Sequence, residues 1–514
     1  MIEKSAAQIC DEDQQIICHD YWLIAPSIAK IEGRLPKDVV DIHEFSISIF
    51  GEKKTRKLRD RAEIHDFLKG EPVTKKDTPD DVDKKCLKAD QTREVNTAIV
   101  AAYLDIFYKR KPFNAETYKE AAKLIEARWI LLRALAESNG EQKRQFEIEI
   151  PVFNLLHKHV IPGIRINQEI LQSHKMDMEY EYYKELKGFS QKYDLPLEDP
   201  SDRTIVDYLE AQDFDFSGIS VDYMLEFVPT PDNFAEAVKN LRKLSASRAL
   251  LAALPVSRQR AIPIVEIFGS ITSRIYFKDP VFQSISKRHR NIISAESKKM
   301  LSYVDYDQFE VGVMAALSGD PCLISLYLEK DLYEVLSEQL FGDRSQRKFA
   351  KRLFLSYAYG MKLKRIADAA YAQGADRGKV KAFFRQLTTF EEWKKQLQDQ
   401  FLQHGHIGTS EGNFLRRNSE GSLSEKEKRS CISQVVQGTA SLIFKKALIA
   451  IDKVEGFRIL VPMHDAVLVE HSLDCDPKIL VQLFSEAMTA HFNGVITGKA
   501  SLEDFVTPQM ALVV

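Results

Sequence analysis

An aspartate follows a short apolar run in the middle of the chain, where Tyr303 and Val304 lead into Asp305. An ionised carboxylate at the end of a buried strand is costly unless a metal or a cation balances its charge. Gln308 and Glu310 come next and are followed by an apolar segment. The pattern predicts a strand followed by a helix-like run, with Asp305 either a metal ligand or a structural residue.

A second aspartate lies in a similar place about 160 residues later in the chain. Residues 457–461 and 466–471 are β-like runs, and His464 and Asp465 lie at the corner between them. This pattern predicts a β-hairpin. Two carboxylates that converge at such a corner could hold two Mg²⁺ ions, or Mn²⁺ in their place, which activate an attacking hydroxyl and stabilise a departing pyrophosphate. The alternative is that Asp465 only forms the turn, a position that aspartate favours.

Four residues spaced by four, Arg347, Lys351, Leu355 and Tyr359, form one stripe along a predicted helix. Two cations one turn apart suit the adjacent phosphates of a triphosphate, and an aromatic ring two turns further on could stack on a base. The alternative is an amphipathic helix with a solvated basic edge.

Two further segments carry residues suited to contacting nucleic acid. Arg429, Ser433 and Gln437 lie on one helical face, and the glycine after Gln437 permits close backbone approach. A glutamine in that position could test the minor-groove acceptors that all base pairs share. Arg274 and Arg288 lie in a basic segment with interleaved aromatic residues and could meet a phosphate backbone. A surface helix and a basic surface loop are the respective alternatives.

The bulk composition limits the class of protein. A chain of 514 residues exceeds a single hydrophobic core, so we expect three or four subdomains. The formal net charge of −3 gives no global signal for nucleic acid, although acids elsewhere can balance a basic cleft. The six cysteines form no C-x-x-C pair, which argues against a zinc site and a disulfide framework. Without a membrane-spanning run or a signal peptide, we expect a cytoplasmic protein with no membrane partner.

Taken in order, these segments resemble the motifs of DNA polymerase family A, the family of bacterial DNA polymerase I and many phage replicases. Residues 305–310 resemble its first palm motif, residues 347–360 its fingers motif, and His464-Asp465 its last palm motif. The other positions that match the family, in its T-x-R…P-x-x-Q block and in the turn before its Q-G-T-A helix, are Thr272, Arg274, Pro280, Gln283, Arg288, Gly405, Thr409, Gly412, Arg416 and Arg417.

The resemblance implies a multidomain α+β protein with the right-hand polymerase fold of palm, fingers and thumb. A truncated, RNase H-like α/β exonuclease remnant would precede that fold. The implied boundaries are a degenerate 3′–5′ exonuclease-like module over residues 1–145, the start of the palm and a helical thumb over 146–250, palm with Asp305 over 251–320, helical fingers over 321–424, and palm with the Asp465 hairpin over 425–514.

The same resemblance implies a role for each matching residue. Asp305 and Asp465 would be the ligands of two Mg²⁺ ions, assisted by the backbone carbonyl of Tyr306. Lys351 would contact the nucleotide phosphates and protonate the pyrophosphate, and Glu310 would be the steric gate against a ribose 2′-hydroxyl. The remaining expected contacts are with the nucleotide for Gln308, Tyr333, Arg347, Leu355 and Tyr359, and with DNA for Arg274, Gln283, Arg288, Thr409, Arg429, Ser433, Gln437 and His464.

Several positions depart from the family pattern. Ala466 stands where an acid usually follows His-Asp, which leaves two catalytic carboxylates rather than three. Leu355 replaces an aromatic residue, and Tyr333 replaces a common histidine. Gly312 and Ser433 replace a common arginine and a common asparagine. Together these changes indicate a divergent member with altered nucleotide selectivity or fidelity.

The N-terminal module is less similar to the family. Residues 19–46 resemble part of its exonuclease domain, and Cys86–Asp90 resembles a later element in which Cys86 replaces the usual tyrosine. The leading strand with its acidic motif is missing, and the acids at positions 11–13 do not follow a convincing strand. We expect a structural remnant that cannot assemble two metal ions.

The implied function is template-directed synthesis of DNA from a primer 3′-hydroxyl and dNTPs, by a monomer without proofreading. Its expected partners are primer–template DNA and an unidentified processivity or helicase protein. A related single-chain enzyme that makes RNA is one alternative, although Glu310 and the Q-G-T-A helix argue against it. The other alternative, favoured by Ala466 and Leu355, is a catalytically weakened protein that binds primer–template without extending it.

Overall fold

The computed structural model describes residues 5–50, 95–214, 220–256, 258–417 and 419–506. The segment Cys86–Asp90, which resembles an exonuclease element, lies outside these residues. Among the helices within the described ranges, none has both the length and the apolar character needed to cross a membrane.

A small parallel sheet of two strands organises the N-terminal module. Its second strand ends at Asp41, whose buried carboxylate accepts hydrogen bonds from the backbone amides of Tyr21 and His43. Asp11 follows a helix rather than a strand and pairs with Arg34. The elements are α1 (Ala6–Cys10), β1 (Ile16–Cys18), α2 (Tyr21–Glu32), β2 (Val39–Asp41), α3 (Ile42–Phe50), α4 (95–107) and α5 (Ala115–Ser138).

A continuous helical segment with a π-helical turn leads from this module into a helical arm. The arm is built from two long helices that pack along each other, and the longer one buries an apolar stripe with helical spacing. Within residues 168–250, the elements that the structure describes are all helical. The elements are α6 (Gln142–Arg144), the π-helical turn Gln145–Glu149, α7 (Ile150–Val160), β3 (Ile164–Arg165), α8 (Gln168–Tyr193), α9 (Asp202–Glu210), α10 (Val221–Phe227) and α11 (Phe234–Ala253).

A second helical group lies between residues 309 and 404. The buried Asp320 ties it together, because its carboxylate caps the helix that begins at Pro321 and also accepts a hydrogen bond from the amide of Phe390. The elements are α12 (Phe309–Ser318), α13 (Pro321–Glu329), α14 (Leu332–Phe341), α15 (Arg347–Ala358), α16 (Leu363–Ala372), α17 (Arg377–Phe384) and α18 (Thr388–His404).

An antiparallel sheet of four strands, in the order β10-β11-β7-β12, forms the centre of the molecule. The predicted hairpin after residue 456 is confirmed as β10 and β11. Before β7, the described chain from residue 260 to 298 forms only strands two or three residues long, which turns and 3₁₀ segments separate. The strands are β4 (Arg260–Ala261), β5 (Ile264–Glu266), β6 (Tyr276–Lys278), β7 (Lys299–Tyr306), β8 (His406–Thr409), β9 (Gly412–Arg416), β10 (Phe457–Met463), β11 (Ala466–Ser472) and β12 (Ala500–Glu503).

Two helices cover the back of the central sheet. The first is α19 (Glu425–Asp452), which starts with a capping box at Ser424 and contains the predicted helical face of Arg429, Ser433 and Gln437. The second is α20 (Lys478–His491). Tyr306 of β7 stacks on Phe309 at 4.0 Å and contacts Phe484 at 4.6 Å between ring centroids, and its hydroxyl donates to the carbonyl of Phe484.

Truncating Phe484 to alanine should destabilise the central sheet. The ring is fully buried against Tyr306 and Phe444, so its loss leaves a cavity and should lower the free energy of unfolding by about 3–5 kcal/mol. Urea unfolding followed by tryptophan fluorescence measures the change. Phe113→Ala is the matched control, since that ring is 66% exposed and its removal should shift the transition little. Equal shifts for the two variants would contradict this packing.

Candidate active site

The central sheet places the two sequence-predicted aspartates side by side. Asp305 in β7 pairs in register with Ala466 in β11, the residue directly after Asp465. The amide of Tyr306 donates to the carbonyl of Asp465 at 3.2 Å, which fixes the hairpin corner against the end of β7. At that corner His464 has a φ of 51°, a left-handed conformation that non-glycine residues adopt mainly in turns and at functional sites.

The two carboxylates lie close enough to perturb each other. Burial, and then the charges of Asp465 and Glu503, raise the pKa of Asp305 to about 8, while Lys351 opposes the shift. Burial also raises the pKa of Asp465, and Lys351 again opposes it. The Oδ1 atom of Asp305 is buried and has no hydrogen-bond partner among the residues that the structure describes. Buried carboxylate oxygens without donors are suited to a hard divalent cation such as Mg²⁺, so the residues present fit such an ion.

Glu503 is a nearby acid that the sequence interpretation missed. It lies in β12 opposite Tyr303, two residues from Ser501, which pairs with Asp305. Its carboxylate pairs with Lys287 at 3.1 Å. Among the described residues, no three histidine, cysteine, aspartate or glutamate side chains converge to enclose a metal ion. An ion held by the two aspartates would therefore complete its coordination from backbone oxygens, water or substrate.

The predicted cationic stripe lies on α15, beside these aspartates. Arg347 forms an ion pair with Asp331 at 2.6 Å, and Lys351 is close enough to Asp305 and Asp465 to oppose the rise of their pKa values. The ring of Tyr333, which is 2% exposed, lies 5.5 Å from the Arg347 guanidinium and 5.6 Å from the Lys351 ammonium. The Tyr333 ring thus contacts both cations through cation–π interactions, and Asp331 holds Arg347 through an ion pair. Leu355, one turn further on, is half-buried against the core.

Glu310 connects four segments of the chain. Its Oε1 atom accepts hydrogen bonds from the hydroxyl of Tyr359 at 2.7 Å, from Gln437 at 3.3 Å and from Arg274 at 3.4 Å. Glu310 lies in the first turn of α12, where the helix dipole favours a negative charge. The residues predicted to contact the nucleotide and those predicted to contact DNA therefore meet at one carboxylate oxygen.

The side chains of three further predicted contact residues hydrogen-bond to backbone groups. Gln283 accepts from the amide of Phe277 and donates to the carbonyls of Ile275 and Pro462. The hydroxyl of Thr409 donates to the carbonyl of Gly412. Gln308 likewise bonds to the amide of Leu332 and the carbonyl of Lys330. These side chains support the loops around the site.

The remaining predicted residues surround the site. His464 is exposed, with its ring edge-on to Tyr276, and Arg288 pairs with Glu181 of the helical arm. Arg429 and Ser433 lie on the same face of α19 as Gln437. Arg429 lines a cavity of about 730 Å³ between α15, α18 and α19. The charged residues that line this cavity are Lys362, Arg385, Glu391, Glu392, Lys394, Lys395, Glu425, Lys428 and Arg429.

Comparison with known proteins identifies the family. The model of the family described as DNA polymerase family A matches residues 220–497, which is more than half of the chain. The chain belongs to DNA polymerase family A. The matched range contains both aspartates, the α15 stripe and Gln437, so the family assignment rests on the segments that form the site.

The curated relatives and a solved structure agree with this assignment. The chain is 29% identical over 253 residues to DNA polymerase theta from Caenorhabditis elegans. This alignment covers 45% of this chain and 15% of that protein. The chain is 27% identical over 226 residues to the thermostable DNA polymerase I of Thermus aquaticus. That alignment covers 39% of this chain and 27% of the Thermus protein. The chain thus spans about a quarter or less of the length of these relatives.

The fold is that of a polymerase domain. The structure of the polymerase domain of Pol1 from M. smegmatis, in complex with DNA primer-template and dNTP, superposes with a TM-score of 0.68. The superposition covers 97% of this chain and 87% of that chain at 17% sequence identity. The mixed α and β architecture expected from the sequence is therefore confirmed as the polymerase fold.

The raised pKa of Asp305 predicts a stability that depends on pH. The folded chain holds the proton on Asp305 more tightly than the unfolded chain, because the pKa is about 8 when folded against an ordinary 3.8. The resulting stabilisation is complete below the ordinary value and is lost as pH rises through the folded value. Asp305→Asn should therefore melt at a higher temperature than the unsubstituted chain in EDTA, and by a larger margin at pH 8 than at pH 5.

Differential scanning fluorimetry at both pH values measures this margin. Asp474→Asn, which removes an exposed carboxylate beyond the other end of β11, is the control and should give no such pH dependence. Mn²⁺ should raise the melting temperature of the unsubstituted chain more than that of Asp305→Asn. A margin that is the same at pH 5 and pH 8 would show that Asp305 is not perturbed in the folded chain.

Proposed function

We propose that the chain is a template-directed DNA polymerase that extends a primer 3′-hydroxyl with dNTPs. The observation that carries this proposal is the position of Asp305 beside Asp465, with a buried oxygen that has no partner among the described residues and with Lys351 near both carboxylates. The family membership supports it, as do the relatives named DNA polymerase theta and DNA polymerase I. The M. smegmatis domain, solved with DNA primer-template and dNTP, has the same fold.

Asp305 and Asp465 would hold two Mg²⁺ ions, for which Mn²⁺ could substitute, with help from the Tyr306 carbonyl. When bound, such ions lower the pKa of an attacking hydroxyl and offset the charge that develops on the phosphates. Lys351 is positioned on the same side as the aspartates and would donate a proton to the departing pyrophosphate. The family's usual third acid is absent, because alanine occupies its position. This residue, Ala466, pairs with Asp305, and its methyl group cannot bind an ion.

The nucleotide would lie against α15. Arg347 and Lys351, held one turn apart on the Tyr333 ring, would neutralise the triphosphate, and Tyr359 would lie beneath the base. Glu310 would occupy the position of a ribose 2′-hydroxyl and exclude it. Leu355 offers only an apolar surface to the sugar, which predicts weaker discrimination at the 3′ position than an aromatic residue provides.

The DNA would lie across the face that carries Arg274 and Gln437. Both side chains reach Glu310 and would sense minor-groove acceptors at the primer terminus, supported by His464. The template strand would pass Arg429 and Ser433 toward the basic cavity beside α18. In this assignment residues 321–424 are the fingers, residues 146–250 hold the thumb, and the central sheet is the palm.

The N-terminal module would act without proofreading. Asp41 is occupied by two backbone amides, and the acids at positions 11–13 follow a helix. This arrangement offers no pair of aspartates comparable to Asp305 and Asp465 among the described residues of the module. We infer that the module has a structural role.

Asp305→Ala should abolish primer extension while primer–template affinity changes less than about twofold, because the carboxylate serves the metal ions rather than the duplex. Extension of a labelled primer with Mg²⁺ and dNTPs measures the activity, and fluorescence anisotropy measures the affinity. Asp474→Ala, at an exposed position, is the matched control and should extend normally.

The outcomes separate the proposal from its alternative. If Asp305→Ala still extends the primer, the metal assignment is wrong. If the unsubstituted chain binds primer–template but extends nothing, it is the catalytically weakened binding protein that Ala466 and Leu355 suggest.

Glu310→Ala should relax the choice of sugar. Removing the side chain opens space for a 2′-hydroxyl, so the ratio of kcat/KM for a dNTP to that for the matching rNTP should fall about tenfold or more. Steady-state single-nucleotide incorporation measures both values. Glu137→Ala, which removes an exposed glutamate of α5, is the control and should leave the ratio unchanged. A preference of the unsubstituted chain for rNTPs would instead favour an enzyme that makes RNA.

A further inference from the structure

Four charged side chains are sealed inside the protein away from the site described above. Glu141, Arg144 and Glu149 come from the segment that joins the N-terminal module to the polymerase body, and Lys445 comes from α19. All four are at most 1% exposed. Two acids and two bases balance in charge, and they are linked by ion pairs of 3.1 Å, 2.9 Å and 2.6 Å. We call these four residues the buried ion network.

One end of the network holds the turn that carries Arg274. Lys445 donates to the hydroxyl of Ser273, and that hydroxyl donates to Oε1 of Glu149 at 2.9 Å. Ser273 is fully buried with a φ of 61°, a backbone conformation that a serine keeps only when its surroundings impose it. The hydroxyl of Ser441 donates to the carbonyl of the same serine. The network therefore fixes the backbone immediately before Arg274.

The other end holds the β8–β9 hairpin. The Oε1 atom of Glu141 accepts from the amide of Asn413 at 2.7 Å. Gly412 has a φ of 103°, and a Cβ atom there would lie 2.6 Å from the Glu141 side chain, so the hairpin approaches as closely as a glycine allows. Gln434 joins the two ends, since it donates to the carbonyls of Asn413 and Ile271.

The N-terminal module is attached to the same network. Arg144 donates to the carbonyl of Ser48 at 2.7 Å, and the hydroxyl of Ser48 donates to Gln145 at 2.7 Å. Burial alone would raise the pKa of Glu149, but Lys445 and Arg144 outweigh burial and hold it below its ordinary value, so the acid stays ionised. Ser48 lies in α3, so this module is connected through the network to the turn before Arg274.

We propose that Glu149, Lys445 and Ser273 are positioning residues that aim Arg274 at the minor groove, and that the N-terminal module braces the polymerase site through them. The proposal rests on the proposed function, in which Arg274 donates to a minor-groove acceptor of the terminal base pair. It assigns to the module a mechanical role in reading the primer terminus.

The test removes the minor-groove acceptor from the primer and measures how much kcat/KM falls for each variant. Two primers are compared, one ending in guanine and one ending in 3-deazaguanine, which lacks the ring nitrogen that accepts in the minor groove. For the unsubstituted chain, kcat/KM should fall about tenfold with the analogue, the value of one hydrogen bond to a charged donor. Arg274→Ala should show no such difference between the primers.

Ser273→Ala and Glu149→Gln are the informative variants. Ser273→Ala leaves the pair between Glu149 and Lys445 intact, so it tests the link to the turn with little disturbance of the core. For both variants, the fall in kcat/KM that the analogue causes should be about threefold or less. Ser337→Ala is the matched control, because it removes another fully buried hydroxyl, in α14, and should keep the tenfold effect.

The outcomes distinguish this proposal from the proposed function. If Ser273→Ala and Glu149→Gln fold and keep the full tenfold effect, the positioning role is wrong. If the unsubstituted chain extends both primers equally, Arg274 makes no such contact and there is nothing to position, although polymerase activity stands. The affinity of each variant for the two primer–templates can be compared in the same way, so the positioning role can be tested even if neither the unsubstituted chain nor its variants extend a primer. A lack of extension would contradict only the proposed function.

Discussion

The register between β7 and β11 is the constraint on which the site depends. It pairs Asp305 with Ala466 and so places Asp305 beside the corner aspartate of the hairpin. Side chains alternate along a strand, so a slip of one residue would turn Asp305 into the core. Val304 and Tyr306 prevent that slip, because both are buried and Tyr306 stacks between Phe309 and Phe484. The apolar packing behind the sheet thus fixes where its carboxylates point.

The site is coupled internally through Glu310. One carboxylate oxygen accepts from Tyr359 at the end of α15, from Gln437 in α19 and from Arg274 in the turn before β6. Hydrogen bonds that share an acceptor at low dielectric influence one another, so a shift of any donor alters the geometry available to the other two. In the proposed polymerase, the choice of sugar and the inspection of the terminal base pair would therefore depend on one another.

Local patterns in the sequence predict much of this arrangement, and long-range contacts explain the rest. The Asp465 hairpin and α19 follow from alternation and helical spacing, so they could be read from the sequence. The contact between Gln283 and the carbonyl of Pro462 could not, because Pro462 lies 179 residues away and reaches Gln283 only in the folded chain. Glu503 and Asp331 were missed for the same reason, since nothing in their immediate sequence indicates which residue each one faces.

Charge is distributed in opposite ways at the half-buried aspartate pair and in the buried ion network. At the aspartate pair, like charges lie together, one carboxylate oxygen has no donor within the described ranges, and burial raises the pKa of both acids. In the buried ion network, acids and bases alternate, and the pKa of Glu149 is held low. Neutralising an acid should therefore relieve strain at the first centre and create an uncompensated charge at the second. In the proposed polymerase the first centre would accept cations, whereas the second holds the turn before Arg274 in place.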